Sequence, residues 1–357
     1  MRTIGISHKT RYWQHYCFSN PPAGHRYVRM VDIPWHMARI RTEFLANTKF
    51  FLPFRKADIY HTYNSVVANA RPWVIEVESY LPRFEGMRTD HPAYKWALRK
   101  LASDHCKALI FTSQNTMQMN RLKLAEAGVD ERKMHVVYRA VEKFTPGERA
   151  DGRFRILFAG NGFYRKGGIE LLKAFKLLDR TEVELEIISS LAVDWGITAT
   201  REEIEWTERT IAADPRITIH RQLRHDQVVE HMRHADVFVA TTFADPFNNT
   251  VLEAMGAGLP IISSDAGALP ELVQHGVNGW ILPVLERKSE EIAEEIAIRL
   301  RQLMDDKALR LRMGAASSPV IDAHFNLNVR NAALGRIYDE ALGEQTERKV
   351  NVDLPKA

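Results

Sequence analysis

The sequence is poor in cysteine and has no long hydrophobic run. Only Cys17 and Cys106 occur among 357 residues, too few for a disulfide framework or a cysteine-based zinc site, so we expect two reduced thiols. A membrane-spanning helix needs about 18 consecutive apolar residues, and no such run is present. The residues that follow Met1 also lack the apolar stretch of a signal peptide. These absences favour a cytoplasmic protein.

No charge sign dominates the whole sequence, but charge is unevenly distributed along it. Residues 1–145 contain 23 Lys and Arg against 12 Asp and Glu, whereas the remaining residues contain 26 against 33. The basic half suggests an anionic partner. We expect an anionic membrane surface or phosphorylated lipid, and no nucleic acid. A solvated cationic surface without a partner would give the same excess.

Apolar runs alternate with helical patterns along the chain. Strands are predicted at residues 3–7, 27–31, 58–60, 73–78, 108–112, 135–137, 154–158, 184–188, 216–220, 236–240 and 260–263. Short strands separated by helices indicate parallel sheets with right-handed crossovers. A Pro- and Gly-containing break at residues 144–152 divides the pattern. We therefore predict two doubly wound α/β domains, residues 1–147 and 148–324, a last helix at 325–343 that could pack against either domain, and a polar tail at 344–357.

Two carboxylates lie eight positions apart around a predicted loop-to-helix junction. Asp245 precedes a short helical pattern that begins near Asn249, and Glu253 follows one turn into that helix. A helix N-terminus carries roughly half a positive charge and readily receives a phosphate. Glu253 would then reach a sugar or ribose beside it. Alternatively, Asp245 caps a turn and Glu253 lies on a solvated helix face.

A glycine-rich turn follows the predicted strand at 154–158. Residues 160–168 read Gly-Asn-Gly-Phe-Tyr-Arg-Lys-Gly-Gly, and Lys166 lies where the next helix begins. Glycines let the backbone approach a ligand closely, so this turn is a candidate phosphate site. It has no Gly-Lys-Ser or Gly-Lys-Thr, and Arg165 stands at the third glycine position of the dinucleotide fingerprint, which disfavours an NAD-dependent oxidoreductase. Such a turn can equally be purely structural.

These two segments belong to four ordered blocks, at residues 160–167, 235–239, 245–253 and 267–283. Together they resemble glycosyltransferase family 4, the retaining group 1 glycosyltransferases. The resemblance implies the GT-B fold, in which two Rossmann-like domains face each other across a cleft. It implies a nucleotide-diphosphate-sugar as donor substrate, with no cofactor and no obligate metal.

The resemblance also implies roles for individual residues. Lys166 matches the lysine that neutralises the departing diphosphate, Glu253 the glutamate that binds the ribose hydroxyls, and Asp245 the acid that holds the transferred sugar. These three are the candidate catalytic residues. The other candidate donor-binding residues, by position in the matching blocks, are Gly160, Asn161, Arg165, Phe247, Asn248, Asn249 and Thr250.

The sequence departs from the family pattern at three of its expected site positions. Asn161 occupies the place of an arginine, and the neighbouring Arg165 could supply the missing charge. Asp245 is one methylene shorter than the usual glutamate. Glu78 stands where many relatives have a histidine that touches the donor sugar; it could accept sugar hydroxyls, pair with a cation or cap the next segment.

The acceptor side belongs to the first domain, where the resemblance is poorest. Residues 35–56 mix aromatic residues with arginine and lysine, which suits contact with an anionic membrane but also a helix buried against its own sheet. His61 and Asn64, at the end of a predicted strand, could contact acceptor or donor, or be structural groups.

The sequence therefore predicts a retaining glycosyltransferase that transfers a sugar to a hydroxyl acceptor. The acceptor would be a glycan or a lipid-linked acceptor in cell-surface polysaccharide, lipopolysaccharide or glycolipid synthesis, with the protein cytoplasmic or peripheral at the inner membrane face. One alternative is a sugar-nucleotide-binding partner subunit without turnover. An epimerase or phosphorylase on the same fold has no support in these motifs.

Overall fold

The computed structural model describes residues 1–7, 16–33, 43–148, 151–194 and 199–343. The chain divides into two compact units. Among the described residues, unit 1 comprises those in 1–140 and 324–343, and unit 2 those in 141–323. The first boundary lies a few residues before the one predicted at 147. Among the described helices, none is both long and apolar enough to cross a bilayer.

Unit 1 contains a six-stranded parallel sheet. Its strands are β1 (Arg2–Ile6), β2 (His25–Arg29), β4 (Ile59–Tyr63), β6 (Trp73–Val77), β7 (Cys106–Phe111) and β8 (Met134–Val136), in the order β2-β1-β4-β6-β7-β8. A separate parallel pair joins β3 (Thr48–Lys49) to β5 (Val66–Val67). The helices of unit 1 are α1 (Tyr16–Ser19), α2 (Glu43–Ala46), α3 (Pro92–Ala102), α4 (Gln114–Glu126) and, at the end of the described chain, α13 (Leu327–Ala341).

Unit 2 repeats this architecture. Its strands are β9 (Phe154–Ala159), β10 (Val183–Ile188), β11 (Ile217–His220), β12 (Val237–Ala240), β13 (Ile261–Ser264) and β14 (Gly279–Leu282), all parallel in the order β11-β10-β9-β12-β13-β14. Its helices are α5 (Gly168–Lys176), α6 (Arg201–Ala213), α7 (His225–Arg233), α8 (Asn249–Gly256), α9 (Leu269–Leu272), α10 (Ser289–Asp305), α11 (Lys307–Ala315) and α12 (Ser317–Val320). A π-helical segment, Ile321–Phe325, precedes α13.

The central strands of both units are buried on both faces, as expected of parallel sheets covered by helices. All five residues of β6 and all four of β12 and β13 are buried. In unit 2, Leu171 and Leu172 of α5 and Ile292 and Ile296 of α10 pack in one core cluster with the strands. This burial explains why the strands read as continuous apolar runs in the sequence.

The predicted α/β fold class is confirmed, and the predicted strands lie within a few residues of the observed ones. The prediction omitted β14, whose four residues directly follow a turn, and the two-residue strands β3 and β5. The last helix begins at Leu327, and its Leu334 and Tyr338 pack in unit 1 with Ile4 and Ile59.

Candidate functional site

The candidate site lies where the strand order of unit 2 changes direction. The chain runs from β9 outward to β10 and β11, then returns to the other side of β9 as β12. In open α/β sheets, ligands bind at the carboxyl ends of the strands at such a point. The loops that follow β9 and β12 are the two segments that the sequence singled out.

The structure brings Lys166 and Asp245 together across this switch point. Lys166 Nζ lies 3.2 Å from Asp245 Oδ2, and the two side chains are 12% and 10% exposed. The lysine side chain folds over Gly160, where a Cβ would lie only 2.8 Å from Lys166 Cδ. Gly160 therefore leaves the space that Lys166 occupies.

The turn between the Lys166 loop and α5 depends on a glycine. Gly167 precedes the helix with φ of 79°, a left-handed conformation that residues with a side chain adopt at a cost. A Cβ at this position would also lie 2.3 Å from Thr241 Oγ1 and 2.4 Å from the Thr241 carbonyl oxygen. The close approach of these two backbones holds the loops after β9 and β12 against each other.

Helix α8 begins at Asn249, as predicted, with Asn248 as its N-cap. The Val251 N–H and the Thr250 hydroxyl donate to Asn248 Oδ1, at 3.2 and 2.8 Å. Asn248 and Phe247 are both almost fully buried, so their side chains pack in the interior and support the loop. The Phe247 N–H donates to Asp245 Oδ1 at 3.3 Å, which means that Asp245 also has the turn-capping contact that the sequence left open.

Glu253 lies one turn into α8 and faces a histidine of α7. His225 Nε2 is 2.9 Å from Glu253 Oε1, the histidine side chain being 70% exposed and the glutamate side chain 19%. The hydrogen bond with Glu253 raises the pKa of His225 above its ordinary value. Glu253 is therefore neither a fully solvated helix residue nor free of protein partners.

Arg165 pairs with a carboxylate that the sequence did not single out. It is buried and forms a salt bridge with Asp194, with Nη2 at 2.7 Å from Oδ2. Its Nη1 donates to the carbonyl of Ala244. The neighbouring Asn161 is exposed. The charge of Arg165 is thus paired with Asp194 inside unit 2.

In unit 1, Glu78 pairs with a cation, one of the alternatives that its sequence position left open. Glu78 Oε1 lies 3.2 Å from Arg139 Nη2. Asn64, which directly follows β4 with φ of 52°, accepts a hydrogen bond from the Glu78 N–H at 2.9 Å. Asn64 is buried and its amide positions the start of the segment after β6. Asn64 and Glu78 are therefore neighbours at the carboxyl edge of this sheet.

His61 is part of the buried interior of unit 1. Its Nδ1 is hydrogen-bonded to the hydroxyl of Tyr338 at 2.6 Å, and its Nε2 lies 3.7 Å from Glu76 Oε2. Burial lowers the pKa of His61 to about 4, so the imidazole is neutral at neutral pH. The structure places this side chain in a core network, away from the solvent-accessible position that contact with a sugar would require.

Sequence reasoning missed Asp194, His225 and Arg139, each of which contacts a predicted site residue. Each follows the carboxyl end of a strand, namely β10, β11 and β8, which is the one signal that could have selected them. Of the aromatic and basic residues at 35–56, Trp35, Arg39 and Arg41 lie outside the described residues. Within the described ranges, no group of three or more His, Cys, Asp or Glu side chains is arranged to hold a metal ion.

The fold is that of GT-B glycosyltransferases. A crystal structure of the Anabaena protein HepE in complex with UDP-glucose matches with a TM-score of 0.59 at 17% identity, covering 80% of this chain and 79% of that one. Sucrose-phosphate synthase from Thermosynechococcus elongatus matches with a TM-score of 0.68 at 15% identity, covering 95% of this chain and 99% of that one.

The sequence comparisons assign unit 2 to a family. Residues 153–306 match the family Glycosyl transferases group 1. A D-inositol 3-phosphate glycosyltransferase of Pseudarthrobacter chlorophenolicus is 25% identical over 233 residues, which cover 64% of this chain and 53% of that protein. The chain thus spans about half the length of this curated relative. Unit 2 carries a domain of the group 1 glycosyl transferase family, and the resemblance seen in the sequence is confirmed at that level.

Proposed function

We propose that this protein is a retaining glycosyltransferase that uses a nucleotide-diphosphate-sugar as donor. The observation that carries the proposal is the position of Lys166 and Asp245, which lie 3.2 Å apart at the strand-order switch of unit 2. Asp245 belongs to the loop that leads into α8. The family of unit 2 and the UDP-glucose complex of HepE agree with it.

A diphosphate at this switch point would find positive charge from two sources. Lys166 supplies a full charge, and the backbone N–H groups at the start of α8 supply a partial one. Fixed charges directed at a leaving group in a site that excludes water are commonly the largest contribution to this kind of catalysis. Because both come from the protein itself, we expect turnover to continue in the presence of a chelator.

In the sequence, Asp245 comes before the start of α8 and Glu253 comes after it, and the diphosphate is proposed to bind at that helix start. Asp245 lies in the loop before the α8 N-terminus and would accept hydrogen bonds from the transferred sugar, while Glu253, one turn into the helix, would accept them from the ribose. In the reaction, the bond from the anomeric carbon to the phosphate oxygen breaks. A bond to the acceptor oxygen forms on the same face, and the acceptor proton passes to the departing phosphate.

A donor screen followed by three substitutions tests the proposal. UDP-, GDP- and ADP-sugars are first compared by thermal shift, since a ligand at 100 times its Kd stabilises by about 2.7 kcal/mol. Release of nucleoside diphosphate is then measured for wild type, Lys166→Ala, Glu253→Ala and Lys173→Ala. Lys173 is the matched control, because it lies on α5 and pairs with Glu290.

We expect Lys166→Ala to lower kcat by about 100-fold or more, Glu253→Ala to raise KM for the donor, and Lys173→Ala to change neither. Full turnover by Lys166→Ala would contradict the proposal. Donor binding by wild type without turnover, over a broad panel of hydroxyl acceptors, would instead favour the sugar-nucleotide-binding partner subunit.

We further propose that the acceptor is a glycan or lipid-linked glycan of cell-surface polysaccharide, lipopolysaccharide or glycolipid synthesis, reached at an anionic membrane. The excess of basic residues in the first 145 positions supports this. So does the segment before β4, where Phe54 is 73% exposed and is followed by exposed Arg55 and Lys56. Aromatic rings beside cationic groups suit the headgroup region of a bilayer.

Sedimentation with phosphatidylglycerol vesicles, compared with phosphatidylcholine vesicles, tests the membrane contact. We expect binding to the anionic vesicles only, release at high salt, and weaker binding by Phe54→Ala. Leu122→Ala, which removes an equally exposed apolar side chain from α4, is the control. Equal recovery with both vesicle types would remove the membrane proposal.

A further inference from the structure

The Asp194 carboxylate accepts three hydrogen bonds from the Arg165 guanidinium. Arg165 Nε donates to Asp194 Oδ1 at 3.1 Å and to Oδ2 at 3.2 Å, and Arg165 Nη2 donates to Oδ2 at 2.7 Å. Paired hydrogen bonds between a guanidinium and a carboxylate are strong and fix the orientation of both groups. The arginine side chain is only 6% exposed, so solvent screens this pair little.

The glycine-rich turn leaves the space for this pair. A Cβ at Gly162 would lie 2.3 Å from Asp194 Oδ2 and 2.7 Å from Arg165 Nη2. Any side chain at position 162 would therefore displace the carboxylate or the guanidinium. This accounts for the second glycine of the turn, which binding of a phosphate at Lys166 does not explain.

The same arginine also holds the loop after β12. Arg165 Nη1 donates to the carbonyl of Ala244, and the backbone oxygen of Arg165 accepts from the Phe243 N–H at 2.9 Å. Ala244 is the residue directly before Asp245. Through Arg165, the loops that follow β9, β10 and β12 are joined at one point.

A second carboxylate near Arg165 is that of Asp245. Arg165 Nη1 already lies 3.6 Å from Asp245 Oδ2, the same oxygen that Lys166 Nζ approaches at 3.2 Å. An arginine released by Asp194 would move toward this oxygen, because a buried charge without a partner is unfavourable. Two cations would then share one buried carboxylate. Its hydrogen bond to Ala244 would be lost or strained in the process.

We propose that Asp194 is a positioning residue, which acts through Arg165 to keep Asp245 at its place beside Lys166. This inference rests on the proposed function, in which Asp245 holds the transferred sugar. In this proposal, Asp194 acts without contacting donor or acceptor. Its loss should therefore impair the step that involves the sugar and leave binding of the nucleotide unchanged.

The test compares UDP affinity with UDP-glucose turnover in matched variants. UDP binding is measured by calorimetry and UDP release from UDP-glucose by a coupled assay, in wild type, Asp194→Asn, Asp194→Glu and Asp214→Asn. Asp214 is the matched control, because it binds Arg216 with the same geometry at 2.7 Å but lies before β11, at the opposite end of the strands. We expect Asp194→Asn to bind UDP within about twofold of wild type and to lose about 10- to 100-fold in kcat. Asp194→Glu should recover part of the loss, and Asp214→Asn should match wild type.

A double-mutant cycle with Asp245→Asn then separates positioning from general damage to the fold. If Asp194 acts through Asp245, adding Asp194→Asn to Asp245→Asn causes little further loss of kcat. Equal losses in both backgrounds, or wild-type kcat in Asp194→Asn, would overturn the inference.

Failure of the proposed function gives a different result, namely wild type that neither binds nor turns over any of the UDP-, GDP- and ADP-sugars. A crystal structure of Asp194→Asn tests the inference in that case too. We expect the Ala244–Asp245 backbone to shift and the separation of Lys166 Nζ and Asp245 Oδ2 to change from 3.2 Å. An unmoved loop would overturn the inference.

Discussion

At the scale of single residues, the site depends on its glycines, which have no side chain, as much as on its charged groups. Lys166 can fold over Gly160, and Asp194 can reach Arg165 past Gly162, because neither glycine presents a Cβ. Gly167 combines a left-handed φ with direct contact to Thr241. These three glycines set the distances between charged groups that carry the proposed chemistry.

The first prediction concerns Gly167. Gly167→Ala should destabilise the protein by more than Gly258→Ala. Both glycines have φ above 70°, but a Cβ at Gly258 meets nothing within 4 Å, whereas a Cβ at Gly167 meets Thr241. We expect about 1 kcal/mol for Gly258→Ala from backbone strain alone, and at least twice that for Gly167→Ala, measured by urea denaturation. Equal losses would show that the Thr241 contact yields without cost.

The second prediction concerns the pH dependence of the His225–Glu253 pair. The hydrogen bond to Glu253 raises the pKa of His225 in the folded protein. The stabilisation is therefore fully present below the ordinary histidine pKa of about 6.5 and is lost as the pH rises through the raised value. Asp226, Glu142 and the Glu253 carboxylate favour the charged imidazole.

We expect the difference in free energy of unfolding between wild type and His225→Gln to be larger at pH 5.5 than at pH 8.5. Because the histidine is largely exposed, the difference should not exceed about 1 kcal/mol. His105→Gln, an exposed histidine of unit 1, is the control. A larger difference at pH 8.5 would show that the pair does not form.

At the scale of secondary structure elements, α8 follows the loop after β12, and its N-terminus is the proposed contact with the donor diphosphate. Its apolar residues Val251, Leu252 and Met255 are buried, which fixes which face points into unit 2. Asn248 then sets the point at which the helix begins. Since Glu253 lies one turn from that point, a shift of the helix start would move the proposed ribose contact away from the phosphate position.

The third prediction follows from this capping contact. Asn248→Ala should cost about 1 kcal/mol in stability and weaken UDP binding, measured by thermal denaturation and calorimetry. Asn326→Ala is a matched control, because Asn326 caps α13 through the same contact to Val329 at 3.0 Å. We expect a similar loss of stability there with UDP affinity intact. Unchanged UDP affinity in Asn248→Ala would show that the α8 cap does not contribute to nucleotide binding.

At the scale of the whole molecule, the last described helix, α13, completes the core of unit 1. Arg330 of α13 is buried and its Nη2 lies 2.7 Å from Glu76 Oε2 on β6. Burial by itself would raise the pKa of Glu76, but Arg330, His61 and Arg139 outweigh it and hold the pKa below its ordinary value. The carboxylate is therefore charged inside the core.

The fourth prediction tests this buried pair. Arg330→Met should destabilise the protein by about 3–5 kcal/mol, because it leaves a buried carboxylate short of its main partner. Adding Glu76→Gln should recover part of the loss, measured by urea denaturation at pH 7. A double variant that is as unstable as the sum of the two single variants would show that the residues act independently.

Much of the fold could be predicted because its signals are local. Strands buried on both faces read as apolar runs, and the break in pattern near residue 144 marks the region where unit 2 begins. The start of α8 at Asn249 also followed from local spacing. β14 was missed because Gly279 to Leu282 form a short strand directly after a turn, with too few residues for a clear pattern.

The candidate site could be predicted only in part. Lys166, Asp245 and Glu253 stand in recognisable segments, so their proximity to the switch point followed from the fold class. The partners of Arg165, Glu253 and Glu78 did not, since each lies 28 or more residues away in sequence. His61 was a candidate contact because it lies near a strand end, but burial against α13 gives it a structural environment.

The sequence by itself determined most of the strands, their parallel arrangement and the family resemblance of unit 2, because these depend on local propensity, apolar periodicity and ordered motifs. Only the tertiary structure decided how the charges are paired. Asp194 holds Arg165, His225 holds Glu253 and Arg139 holds Glu78 because sheet formation brings the ends of separate strands to one edge. Which side chains then meet depends on loop geometry and on the absence of a Cβ at particular glycines, neither of which a linear pattern contains.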